Sequence, residues 1–290
     1  MQSAHKGWGS GLIGVIIFSG SLPATRVAVE GFSPLFLTSA RAVIAAALGC
    51  SALLIWRQAR PRRHDLAPLA IVALGVVIGF PLLTALALQQ ITSARSIVFI
   101  GLLPLATALF GVLRGGERPR PAFWLFSVAG SAIVAAYAWA DSAPGTASGD
   151  LLMLAAIVIC GLGYAEGATL SRRLGGWQVI CWALVLSAPV MAAMMVLTWP
   201  QDWPPDWAGA SLPVWLGLGY VSVFSMLIGF VFWNRGLALG GIAGVGQLQL
   251  LQPFFGLTLA GVLLGEPVAP SMIAVAVLVI ACVAGARRCA

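Results

Sequence analysis

Few side chains in this 290-residue sequence can do chemistry, because 60% of it is hydrophobic and only 9% is charged. Glu166 is the one carboxylate deep within an apolar segment. There it either carries a proton, if burial raises its proton affinity, or forms a structural ion pair, since Arg172 follows within about two helical turns. Arg41 sits about two turns into another apolar segment. A guanidinium is costly against lipid, so Arg41 is expected to point inward, where it could hold a carboxylate, or to pair with Glu30. Gln247, Gln249 and Gln252 fall on a third segment, where Gln249 and Gln252 share a helical face. Amides at that depth need partners or water. They either bind the amino or carboxyl group of a solute or join helices, and both readings are open. Pro104 and Pro253 stand mid-segment, where each removes a backbone hydrogen bond and forms either a hinge or a static kink.

Other chemistries lack their residues. The two histidines, His5 and His64, lie outside the apolar segments, and the five cysteines (Cys50, Cys160, Cys181, Cys282, Cys289) have no metal-ligand spacing. No GxxxxGK[ST] loop is present to cradle a phosphate. An enzyme, a metal site and a cofactor are therefore not expected. The net charge of +7 does not indicate nucleic acid, because the basic residues occupy short loops between apolar runs.

The elements that position these residues are helices in a membrane. A crossing needs about 20 apolar residues, and only helices or a closed barrel satisfy their backbone in lipid. The runs are continuous rather than alternating, which excludes the barrel. Spans are expected at 8–29, 35–56, 66–89, 94–113, 121–140, 150–171, 177–199, 213–233, 243–264 and 270–286. The first is an uncleaved span and not a signal peptide. With the N-terminus inside, the inner segments hold Lys6, Arg57, Arg60, Arg62, Arg63, Arg114, Arg118, Arg120, Arg172, Arg173, Arg235, Arg287 and Arg288, 13 of the 16 Lys and Arg. The outer loops hold Arg95 but collect Glu30, Asp141, Asp150, Asp202, Asp206 and Glu266. This asymmetry is the positive-inside pattern, and it predicts both chain ends in the cytoplasm. Trp199, Trp203, Trp207 and Trp215 are expected as an outer interfacial belt.

An offset of 149 relates two parts of the chain: Leu88 with Leu237, Ala94 with Ala243, Pro104 with Pro253, Gly116 with Gly265, Glu117 with Glu266 and Pro121 with Pro270. Residues 1–141 then form one five-helix repeat and 142–290 a second. An odd helix number inverts the second against the first, the plan of many secondary transporters. Glu117 and Glu266, at helix ends just before Pro121 and Pro270, are expected to cap the next helix or order the loop.

The ten spans, the two five-helix halves and the paired Gly116-Glu117-Arg118-Pro119 and Gly265-Glu266-Pro267-Val268 resemble the EamA family of the drug/metabolite transporter superfamily, over essentially the whole chain. Within it the chain resembles the bacterial aromatic amino acid exporters. The resemblance implies an all-α integral membrane fold of the inner (plasma) membrane: ten helices, as two inverted repeats, surround a central cavity, with the fifth and tenth helices peripheral. It implies alternating access and export of small metabolites. Phe18, Phe80, Phe99, Tyr164, Trp182 and Trp233 would face the cavity, with Gln249 and Gln252 on the polar wall and Leu103 as the apolar counterpart of Gln252. Aromatic or hydrophobic amino acids are the expected substrates. A drug-like cation, a nucleotide-like metabolite or a receptor role are the alternatives. Phosphate compounds would call for more intramembrane cations than Arg26 and Arg41. The expected partners are a small molecule and the bilayer, and a monomer suffices.

Overall fold

The computed structural model describes residues 2–87, 90–91, 99–140, 146–202, 211–264 and 270–290, and every regular element among them is helical. We number the helices in chain order. Helix α1 runs Gln2–Ser19 and, past a break at Gly20, Ser21–Ala28. Helix α2 is Pro34–Ile55. Helix α3 joins Arg63–Val72, a π-helical stretch Ala73–Gly79, and Phe80–Ala87. Then come α4 (Leu103–Leu113), α5 (Pro121–Ala140), α6 (Ala147–Leu174) and α7 (Gly176–Asp202). Helix α8 joins Leu212–Gly219, a second π stretch Tyr220–Ile228, and Gly229–Gly240. Helix α9 joins Ile242–Gly246, a 3₁₀ stretch Gln247–Leu251, and Gln252–Leu264. Helix α10 is Pro270–Cys289. Among the described residues six stretches are long and apolar enough to cross a bilayer: His5–Thr25, Pro34–Ile55, Arg63–Ala87, Ala147–Leu174, Gly176–Trp199 and Leu212–Gly240.

Local chemistry sets the ends. Ser33 caps α2 by accepting from the Phe36 N–H at 3.3 Å, with Pro34 in the first turn. Thr146 caps α6 by accepting from the Gly149 N–H at 3.1 Å, and Gly175 (φ 95°) ends that helix. The offset of 149 reappears in the helix starts: Arg63 and Leu212, Phe80 and Gly229, Leu103 and Gln252, Pro121 and Pro270. The two π stretches end at Gly79 and Ile228, again 149 apart.

Packing interlocks the two halves of the sequence. Helix α6, from the second half, packs on α3 and α4; α1, from the first, packs on α8 and α9. Helices α2 and α7 pack on each other and on α3 and α8, while α5 and α10 pair and touch mainly α4 and α9. Small residues bring α1 and α8 close, as small-residue interfaces in membranes do. A Cβ on Gly236 would lie 2.6 Å from the Gly11 backbone nitrogen, and one on Gly7 2.4 Å from that of Gly240.

One expectation changes here. The first span is not one uninterrupted helix, because it breaks at Gly20, whose Cβ would sit 2.3 Å from the Tyr220 hydroxyl. That hydroxyl instead donates to the Ile17 carbonyl at 2.8 Å. Pro253 lies midway along α9, just after its 3₁₀ stretch, and Pro104 lies near the start of the described helix α4. Each is the second residue of a helical stretch, Leu103–Leu113 and Gln252–Leu264. A residue without an N–H and with φ near −65° belongs in a first turn, where that N–H has no helical partner.

Candidate functional site

The aromatic residues converge where the α3–α4–α6 group meets the α8–α9–α1 group. Phe18 of α1 lies 5.0 Å from Phe230 and 6.2 Å from Trp233, both on α8. Tyr164 of α6 lies 6.0 Å from Phe230 and 5.4 Å from Trp233. These tilted and edge-to-face pairs each add about 0.5–1.5 kcal/mol beyond burial, so they join the two groups by a contact that fits one ring arrangement. All four rings are buried. Phe80, Phe99 and Trp182 sit half-buried at the margin of the same core, and Leu103 is within it.

Polar atoms line this junction without protein partners. Tyr164 lies beside Cys160 and Gln249. The side-chain amides of Gln247 and Gln249 and the indole N–H of Trp233 are enclosed and have no hydrogen-bond partner among the described residues. The backbone explains part of this. A 3₁₀ stretch runs Gln247–Leu251, so the glutamines do not follow α-helical spacing: Gln247 and Gln249 are buried and Gln252 is half-buried. An unbonded amide in an apolar interior costs roughly 1–3 kcal/mol, which favours a site that a polar solute or water completes.

Arg41 enters from α2. Its Nη2 donates to Ser225 Oγ at 3.3 Å, and Ser21 Oγ donates to the same hydroxyl at 2.8 Å. The inward orientation expected from the sequence is thus adopted, and Glu30 is exposed at the surface. Ser225 lies in the π stretch of α8; such wide turns are often found at functional sites.

One end of the molecule is ionic. Glu166 is buried and pairs with Arg114 rather than with Arg172, its neighbour along the helix. Arg172 instead reaches Glu117 at 3.2 Å, and Arg173 reaches Asp65 at 3.0 Å. Glu117 does not cap the following helix at Pro121. Its two oxygens accept the N–H groups of Ile242 and Ala243 at 2.6 and 2.7 Å, at the start of α9. Gly116 (φ 68°) makes the turn that allows this, and the Glu117 N–H returns to the Gly111 carbonyl at 3.1 Å. Glu117 therefore ties α4 of one group to α9 of the other. Glu266, Arg95, Trp203 and Trp207 lie outside the described residues, and Trp199 and Trp215 pack on Phe36 and Phe32.

Sequence reasoning missed Ser21, Ser225, Phe230 and Arg114 as contributors. A serine or phenylalanine inside an apolar run has no local signal, and Arg114 reads as a loop charge.

Two matches to the EamA-like transporter family cover residues 5–138 and 147–287. The chain belongs to the EamA-like transporter family. It is 63% identical over 288 residues to an uncharacterized transporter, YdeK, of Bacillus subtilis (strain 168), covering 99% of both chains. It is 25% identical over 260 residues to a probable terminal-alkyne amino-acid exporter of Streptantibioticus cattleyicolor, covering 87% of this chain and 83% of that one. A crystal structure superposes with a TM-score of 0.78 at 21% identity, covering 97% and 96% of the two chains, and supports the fold. This EamA-family chain is accordingly a multi-pass, membrane-embedded transporter.

Proposed function

We propose that this EamA-family transporter is a secondary carrier that exports amino acids or close relatives, aromatic and hydrophobic ones best. The observation that carries the reading is the junction of Phe18, Tyr164, Phe230 and Trp233, which holds the unpartnered indole N–H of Trp233 and lies beside the Gln249 amide. Apolar walls with a few converging polar groups are what a site for a small amphipathic solute requires. The amino-acid exporter among its relatives supports the substrate class.

The paired family matches and the recurring offset of helix starts support ten crossings in two inverted repeats, 1–141 and 142–290. The moving bodies in this reading are the interlocked groups α3–α4–α6 and α8–α9–α1, not the sequence halves. Alternating access is then their rocking about the aromatic junction. Pro104 and Pro253, 149 residues apart and each second in a regular α-helical stretch, are where α4 and α9 would flex. The Glu117 bonds hold one end closed and must release for that end to open. The basic segments support a cytoplasmic location for that end in a bacterial inner membrane, with both chain ends on the same side.

The test is flux into liposomes reconstituted with the purified protein. Radiolabelled L-tryptophan, L-phenylalanine and L-leucine should cross faster than in empty liposomes, and L-aspartate should not. No flux of any amino acid, with or without a proton gradient, overturns the reading.

A further inference from the structure

Among the described residues Arg41 is a charge without a counter-ion. Its Nε is sealed from solvent and has no hydrogen-bond partner among the described residues, and its Nη2 is met there by a serine hydroxyl. It lies roughly 10 Å along α2 from Pro34 at 1.5 Å per residue, well inside a hydrocarbon core of about 30 Å. The helices around it supply no carboxylate: α1, α2, α8 and α7 as far as Trp199 contain no Asp or Glu. Helix α3 holds one, Asp65, which pairs with Arg173. Leaving a guanidinium unpaired at such depth is expensive and marks a functional position. The hydroxyls of Ser21 and Ser225 stand beside it, linked at 2.8 Å, and Ser21 is three residues from Phe18 of the aromatic junction.

We propose that Arg41, with Ser21 and Ser225, is an anion subsite that receives the carboxylate of the transported solute. The solute's carboxylate then supplies the missing counter-charge. A guanidinium offers a planar fork of donors suited to a carboxylate, and the free Nε and the Nη groups provide such a fork. The serine hydroxyls can donate to the same oxygens. The apolar end of the solute lies towards Phe18 and Phe230. The carboxylate becomes obligatory for binding, while the side chain is selected by ring packing. This inference rests on the reading of the junction as a solute site and adds which end of the solute goes where.

The experiment is thermal unfolding of the detergent-solubilised, full-length protein with paired probes: L-phenylalanine against L-phenylalaninamide, and phenylacetate against phenylacetamide. Sodium chloride and inorganic phosphate serve as free-anion controls. The acids should stabilise the wild type and the amides should not. Arg41→Gln should weaken acid binding by about 10- to 100-fold, the range for a lost charged hydrogen bond. Arg41→Lys should retain part of the preference. Without ligand, Arg41→Gln should unfold at or above the wild-type temperature, because it removes an unpaired buried charge; a purely structural arginine would lower it. Equal stabilisation by acids and amides, equal stabilisation by chloride or phosphate, or unchanged acid binding in Arg41→Gln overturns the subsite. Failure of amino-acid flux with an intact, Arg41-dependent acid preference would overturn the amino-acid export reading and leave the subsite standing.

Discussion

Removing the Glu117 carboxylate should loosen the joint between α4 and α9, and the structure sets the size of the effect. Glu117 caps α9 from 125 residues away in sequence, with N–H donors at 2.6 and 2.7 Å. A local N-cap is worth about 0.5–2 kcal/mol. Charge-assisted bonds are roughly twice as strong as neutral ones, and the helix dipole adds about 0.3–1 kcal/mol. The Glu117 side chain is 18% exposed and Arg172 is 40% exposed, so that ion pair is screened and contributes well under about 1 kcal/mol. Glu117→Ala should therefore destabilise the protein by about 2–4 kcal/mol. Glu117→Gln keeps one acceptor and should cost about half as much, and Arg172→Ala should cost least. Reversible unfolding of the three variants in mixed micelles, followed by tryptophan fluorescence, gives this order directly. If Glu117→Ala changes stability by less than about 0.5 kcal/mol, or if Arg172→Ala costs as much, the bonds to α9 are not what holds the joint.

Gly116→Ala should cost about 1–2 kcal/mol, because the residue has φ 68° while no atom lies within 4 Å of its Cβ position; the same unfolding assay measures it, and an equally large loss in Gly9→Ala, also without neighbours but helical, would refute the conformational cause. Gly236→Leu should abolish a monodisperse gel-filtration peak, since even a Cβ would fall 2.6 Å from the Gly11 backbone; a normal peak refutes that packing. Glu166→Ala should change stability by less than about 1 kcal/mol, because water reaches the half-exposed Arg114 it leaves behind, and leave the pH profile of flux unchanged. A flattened profile would show that Glu166 carries the coupling proton.

What could be read from residues alone followed from local rules. Apolar runs and interrupting charges located the helices, because lipid excludes other backbone forms. The spacing of Pro104 from Pro253 and of Pro121 from Pro270 suggested a repeat, and the helix starts keep that offset. Family membership was legible in the Gly116-Glu117 signature, although not its physical use. Gly116 turns the chain so that Glu117 can reach α9, a contact across 125 residues that no local pattern encodes.

Tertiary structure decided the partners. Glu166 sits one and a half turns or so from Arg172 along α6, yet it pairs with Arg114 on α4, since side chains choose the charge that packing brings near. The π stretches at Ala73–Gly79 and Tyr220–Ile228 have no composition of their own and were not legible in the sequence. Arg41 shows the division most clearly. Its depth was plain from sequence, because a guanidinium in an apolar run is conspicuous. That only serine meets it was decided by the packing of α1, α2 and α8, none of which carries an acid.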